Sequence, residues 1–151
     1  MKTILFVVCA HGNELAGHKL FQDYPYGQTD KVDWEVLIGN PEAMMQNSKY
    51  LETDLISSFD AKVPSSYEER RAEILKKRFG KYDEIYDIHT TEHVCPSSWD
   101  DAIYVTRTTP DLLGMCRYIS SPHIIWGNSK KHPMQYPTAH HPHMITLEYQ
   151  K

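Results

Sequence analysis

The chain has 151 residues, 40% of them hydrophobic before glycine is counted, so a single globular domain over 1–151 is expected and a disordered or collagen-like chain is excluded. Its 16 Lys+Arg and 20 Asp+Glu give a net charge of −4 with no basic block longer than Lys76-Lys77-Arg78, a balance that speaks against a nucleic-acid partner. Three cysteines without CxxC spacing, Cys9, Cys95 and Cys116, argue against a disulfide framework or a Cys-rich zinc module and for a reducing compartment.

The opening Met1 to Ala10 imitates a short signal peptide, but no A-x-A-like site closes it, and it reads as a buried first strand. No run approaches the roughly 18 apolar residues of a membrane span, so no membrane partner and a cytoplasmic location are expected. Ile4 to Cys9 is a continuous apolar run, the pattern of a strand covered on both faces, broken at Ala10-His11-Gly12-Asn13. Glu14 to Phe21 then places Leu15 and Ala16 one turn before Lys19 and Leu20, which predicts a short helix. After the turn-rich Asp23 to Asp30, Trp34 to Ile38 is a second strand, ended by Gly39-Asn40-Pro41, with Pro41 opening a short helix to Ser48.

Ser66-x-x-Glu69 is a capping box, and its helix runs through Ile74, Leu75 and Phe79 to Gly80, the expected C′ residue. Ile85 to His89 and Ala102 to Thr106 are strand-like, and Thr109-Pro110 opens a helix through Leu112, Leu113 and Met115. His123 to Trp126 and Met144 to Leu147 complete the set; Lys131 to His143 is a long loop rich in Pro and His. The alternation predicts an α/β fold, a mostly parallel or mixed central sheet with helices on both faces.

Open α/β sheets place their sites at the carboxyl ends of strands, where this chain has His11 and Glu14, Asn40, His89 and Glu148. A tight turn into the first helix lets His11 and Glu14 converge on one ion, with Gly12 expected to adopt a backbone angle other residues resist. His89 supplies a third ligand. Two His and one carboxylate, leaving a position for water, form a catalytic zinc site of one Zn2+ per chain.

His11-Gly12-Asn13-Glu14-Leu15-Ala16-Gly17 resembles the metal-binding motif of the succinylglutamate desuccinylase and aspartoacylase family, relatives of the zinc carboxypeptidases. Gly39-Asn40-Pro41-Glu42-Ala43, Ser66-Tyr67-Glu68-Glu69-Arg70-Arg71-Ala72, Asp87-Ile88-His89-Thr90-Thr91 and Ile145-Thr146-Leu147-Glu148 look like four further segments of that family, in its order. The resemblance implies that His11, Glu14 and His89 bind zinc, that Glu148 is the general base and that Asp54 orients the first ligand histidine. It also implies a zinc carboxypeptidase-like fold and a zinc-dependent hydrolase of amide bonds, a deacylase of N-acyl amino acids or of a related small amide or peptide.

Departures from the family pattern bear on substrate. Where the family reads Asp-Leu-Asn-Arg, with Asn and Arg gripping the substrate's carboxylate, this chain reads Asp54-Leu55-Ile56-Ser57, and neither Ile nor Ser replaces an Arg fork. Lys49 stands where an arginine helps polarise the scissile carbonyl, and the chain stops three residues after Glu148, as in a short member without the family's second, β-rich domain. Asn40 and Arg107 are the candidate substrate contacts, with Arg70 and Arg71 as the other available cations. The alternative reading is a zinc-binding protein without turnover on the same fold. His140-His141-Pro142-His143 reads as a solvated loop near Glu148, and Cys9 and Cys95 are assigned to no metal.

Overall fold

A computed structural model describes residues 1–23, 25–91, 101–105, 109–117, 119, 123–126 and 140–150. In chain order the elements are β1 (Lys2–Val8), α1 (Ala16–Phe21), β2 (Tyr26–Gln28), β3 (Val32–Ile38), α2 (Pro41–Met45), a 3₁₀ turn (Ser57–Asp60), α3 (Tyr67–Phe79), β4 (Glu84–Thr91), β5 (Asp101–Val105), α4 (Pro110–Cys116), β6 (His123–Trp126) and β7 (Met144–Gln150).

Side chains alternate across a strand, so the apolar run of β1 serves two cores. Leu5 and Val7 join Leu55, Phe59, Leu75, Phe79, Ile85 and Met144 on the face covered by α3 and the 3₁₀ turn. Val8 joins Ile88, Leu112, Met115 and Leu147 on the other, where α1 and α4 pack. The expected α/β fold with helices on both faces is what the chain forms.

Seven described strands run in the order β2-β3-β1-β4-β7-β5-β6. The central four, β3, β1, β4 and β7, are parallel. β2 runs antiparallel to β3 and β5 antiparallel to β7, while β6 is parallel to β5, which makes the sheet mixed. The sequence did not announce β2, a three-residue edge strand whose conformation comes from pairing with β3. Gly27 leaves the space occupied by the ring of Trp34: a Cβ there would lie 1.9 Å from Trp34 Cζ2.

The capping box of α3 is present: Ser66 Oγ accepts from the Glu69 N–H at 3.1 Å, and Glu69 Oε2 accepts from the Ser66 N–H at 2.9 Å. Gly80, expected as a left-handed C′ residue, is instead the C-cap at φ −63°, continuing the helical turn. The helix buries Glu68, Ala72, Leu75 and Phe79, a stripe at helical spacing, and the Phe79 ring stacks on Phe59 at 5.9 Å. Because Phe79 is 1% exposed, Phe79→Ala is expected to lower unfolding free energy by about 3–5 kcal/mol in urea melts.

Candidate metal centre

The site lies at the carboxyl ends of β1, β4 and β7, on the face that carries α3. β1 stops because Cys9 turns to φ 53°, the left-handed region, while the Gly39 N–H and Asn40 N–H bond the Val8 and Cys9 carbonyls at 2.7 and 2.9 Å. Among the described residues no glycine has positive φ, so the special backbone angle expected of Gly12 falls on Cys9. Gly12 is required for another reason: a Cβ there would lie 2.2 Å from the Ala43 carbonyl carbon and 2.4 Å from the Met44 nitrogen. The turn thus lies directly against α2, and the Glu14 N–H closes it on the His11 carbonyl at 3.0 Å.

From this turn Glu14 reaches both histidines. Its Oε1 lies 2.7 Å from His11 Nδ1 and its Oε2 2.9 Å from His89 Nδ1, with the two rings 5.0 Å apart at 71°. One ligand atom from each of the three residues falls within 4.8 Å of the others. The outer nitrogens face carboxylates: His11 Nε2 stands 3.3 Å from Asp54 Oδ2, and His89 Nε2 stands 3.1 Å from Asp87 Oδ2. Two imidazole nitrogens and a carboxylate, with each outer N–H directed at an acceptor, fit the donor set of zinc and of other first-row divalent ions.

The electrostatics follow from burial and pairing. Burial opposes the charge on Glu14, but contacts with His11 and His89 hold its carboxyl down at about 2. Burial likewise opposes protonation of His89, yet Asp87 and then Glu14 raise it well above the ordinary imidazole value. Glu148 is the register partner of His89 on the adjacent parallel strand, so the two side chains leave the same face of the sheet. Its carboxyl is raised, chiefly by burial, with Glu14 and Asp87 adding to the effect against His89. Lys49, half exposed, bonds Asp54 Oδ2 at 3.2 Å, which puts Asp54 between the lysine and His11.

Other expected site residues are placed elsewhere. Asn40 is fully buried, and its side chain caps α2 and donates to Glu68. Arg71 donates to the Ile38 and Gly39 carbonyls, both at 2.7 Å, and Arg70 to the Ser65 carbonyl. Arg107 and Cys95 lie outside the described residues. The His140 to His143 segment precedes β7 and therefore sits at the far end of the sheet from Glu148. There His141 is buried with Nε2 3.1 Å from the Tyr82 carbonyl, and His143 Nδ1 is 3.0 Å from that of Asp83.

Two carboxylates escaped a role in the sequence reading. Asp87 was visible in the Asp-x-His spacing, since residues two apart on a strand share a face. Glu68 had no such signal. It is fully buried and accepts from the Leu51, Glu52 and Thr53 N–H groups and from Asn40 Nδ2.

The family profile described as Succinylglutamate desuccinylase/Aspartoacylase catalytic domain matches residues 1–148, and the chain belongs to that family. A probable aspartoacylase of Trichodesmium erythraeum is 30% identical over 125 residues, 74% of this chain and 41% of that relative. One of Prochlorococcus marinus subsp. pastoris is 33% identical over 100 residues, 60% of this chain and 34% of that relative. The chain thus spans well under half the length of these curated relatives. Among solved structures, Vibrio cholerae succinylglutamate desuccinylase superposes with a TM-score of 0.79 at 15% identity, covering 99% of this chain and 49% of that one. Murine aminoacylase 3 gives 0.73 at 18%, with coverage of 98% and 55%. Helicobacter pylori Csd4, a D,L-carboxypeptidase, gives 0.73 at 14%, with coverage of 99% and 45%. These likenesses establish the carboxypeptidase-like fold. Among the described residues no helix is long and apolar enough to cross a membrane.

Gly12→Ala is expected to lower stability by about 2 kcal/mol or more in thermal melts, since backbone must move to admit the methyl group. Glu68 yields a pH dependence. Burial opposes its charge, but the Leu51 N–H, the Asn40 amide and the Thr53 and Glu52 N–H groups prevail and hold its carboxyl below the ordinary 4.5. Its stabilisation is therefore present above pH 4.5 and lost as pH falls through the lower folded value. Urea melts should show Glu68→Gln less stable than wild type by about 2–3 kcal/mol at pH 7, and by clearly less at pH 3.

Proposed function

We propose that this chain is the zinc-binding catalytic part of an amide hydrolase, a deacylase of N-acyl amino acids or of a related small amide or peptide. The observation that carries the reading is the convergence of His11 Nδ1, His89 Nδ1 and the Glu14 carboxylate beside Glu148 at one end of the sheet. Membership of the family supports it, as do relatives named as probable aspartoacylases. Residues 1–151 are read as one domain, acting in the cytoplasm on a small molecule or peptide.

His11, Glu14 and His89 would hold the ion. Zinc, when bound, supplies Lewis acidity that lowers the pKa of water toward about 7 and polarises a carbonyl. Asp54 and Asp87 accept the outer N–H of His11 and His89, the tautomer that would leave each Nδ1 lone pair available to the ion. Glu148, beside His89, takes a proton from the attacking water and delivers it to the departing amine nitrogen. Lys49 offers its positive charge to the carbonyl oxygen as negative charge develops there, without the fork of an arginine.

A second reading, zinc binding without turnover, is favoured by one observation: Lys49 is paired with Asp54 while Asn40, Arg70 and Arg71 are committed to backbone or buried partners. Metal content by mass spectrometry after mild dialysis separates the readings from a shared fold alone. Wild type is expected to hold near one zinc per chain and His89→Ala to lose it; wild type that takes no zinc even when it is offered back overturns the metal assignment. Glu148→Gln is expected to keep the zinc and to hydrolyse N-acyl amino acids more slowly by about 10²–10⁴-fold. Zinc-loaded wild type that cleaves no amide or short peptide favours the second reading.

A further inference from the structure

Glu68 is the second residue of α3, and its carboxylate lies inside the protein at 0% exposure. A buried ionised carboxylate requires several hydrogen-bond donors to offset lost hydration. The chain supplies four. Oε1 accepts from the Leu51 N–H at 2.6 Å and from Asn40 Nδ2 at 3.2 Å, while Oε2 accepts from the Glu52 and Thr53 N–H groups, each at 3.2 Å. Three successive backbone donors converge on one side chain. The segment returns the contact, because Glu52 Oε2 accepts from the Tyr67 N–H at 2.9 Å and Thr53 Oγ1 lies 3.0 Å from Ser66 Oγ.

This segment leads directly to the metal cluster. At one end the Lys49 carbonyl accepts from the Gly12 N–H at 3.1 Å, beside His11. At the other stands Asp54, whose Oδ1 accepts from the Ile56 N–H at 2.9 Å and whose carbonyl accepts from Ser58 Oγ at 2.8 Å. Its contacts with His11 Nε2, at 3.3 and 3.4 Å, are at the long end of hydrogen bonding, so a small shift of the backbone breaks or improves them.

We propose that Glu68 is a positioning residue: its buried carboxylate shapes the Lys49-to-Asp54 segment and thereby sets the contact between Asp54 and His11. The inference rests on reading His11, Glu14 and His89 as the zinc site. It explains why a carboxylate stands there. An acceptor-only group meets four donors, whereas a glutamine of equal size would turn an NH₂ toward some of the same N–H groups.

The test uses the whole chain with Glu68→Gln, which keeps the side-chain volume, alongside Asp54→Asn and the double variant. In metal-free protein, amide exchange at Leu51, Glu52 and Thr53 is expected to quicken by about tenfold or more, and the ring ¹⁵N shifts of His11 to change, while the β1 and β4 amides stay protected. Zinc affinity is expected to fall by about tenfold, the low end for loss of an outer-shell partner. In the Asp54→Asn background Glu68→Gln should cost no comparable further loss, because both act through one contact. A lower melting temperature with unchanged His11 shifts marks Glu68 as structural only and overturns the proposal, as does a full additional loss in the double variant. If wild type binds no zinc, the metal assignment fails separately, and the His11 shifts still decide the role of Glu68.

Discussion

Glu14 bridging the two imidazoles is the interaction on which the rest of this site depends. Burying a carboxylate between strand ends is costly unless its oxygens are met, and here His11 Nδ1, His89 Nδ1 and the Thr90 N–H meet them. That arrangement requires β1 and β4 to be parallel neighbours, with Val8 opposite Ile88, so that the turn after β1 opens beside His89. It also requires the turn to pass within reach of α2, which Gly12 permits and a side chain would prevent. Fold and site are therefore one constraint: the sheet register that packs Leu5, Val7 and Ile85 into a core also sets the spacing of the polar cluster.

Around that bridge the chain places carboxylates in successive layers. Asp54 and Asp87 lie behind the imidazoles, and Glu68 lies behind the segment that carries Asp54. Glu68 gathers donors from a segment distant in sequence, Asp87 meets His89 of its own strand through one oxygen, and the end of β3 is held by Arg71 at the Ile38 and Gly39 carbonyls. Such a network is stiff because every member would lose a buried partner if one moved. It also takes up Asn40, whose buried amide caps α2 and donates to Glu68.

Much of the fold was legible because the physics involved is local. The apolar run of β1, the capping box at Ser66 and Glu69 and the Pro at the start of α2 and α4 each write their element into a few adjacent residues. What failed depended on neighbours. β2 exists through its pairing with β3, Gly80 ends α3 without a left-handed turn, and Gly12 answers to the backbone of Ala43 rather than to its own dihedral. His140 to His143, adjacent in sequence to β7 and Glu148, lies at the opposite end of the sheet because a strand carries the chain across it.

By itself, the sequence determined which residue types could form a metal cluster and that His11, Glu14, His89 and Glu148 follow strand-like segments, since hydrophobic periodicity marks strand ends directly. The tertiary structure alone decided which nitrogens face inward, the distances at which Asp54 and Asp87 stand behind them and that Glu68 gathers the Lys49-to-Asp54 segment. Apart from Asp87 with His89, two residues apart on β4, those are hydrogen bonds between residues distant in sequence, and their geometry exists once sheet register and helix packing bring the segments together.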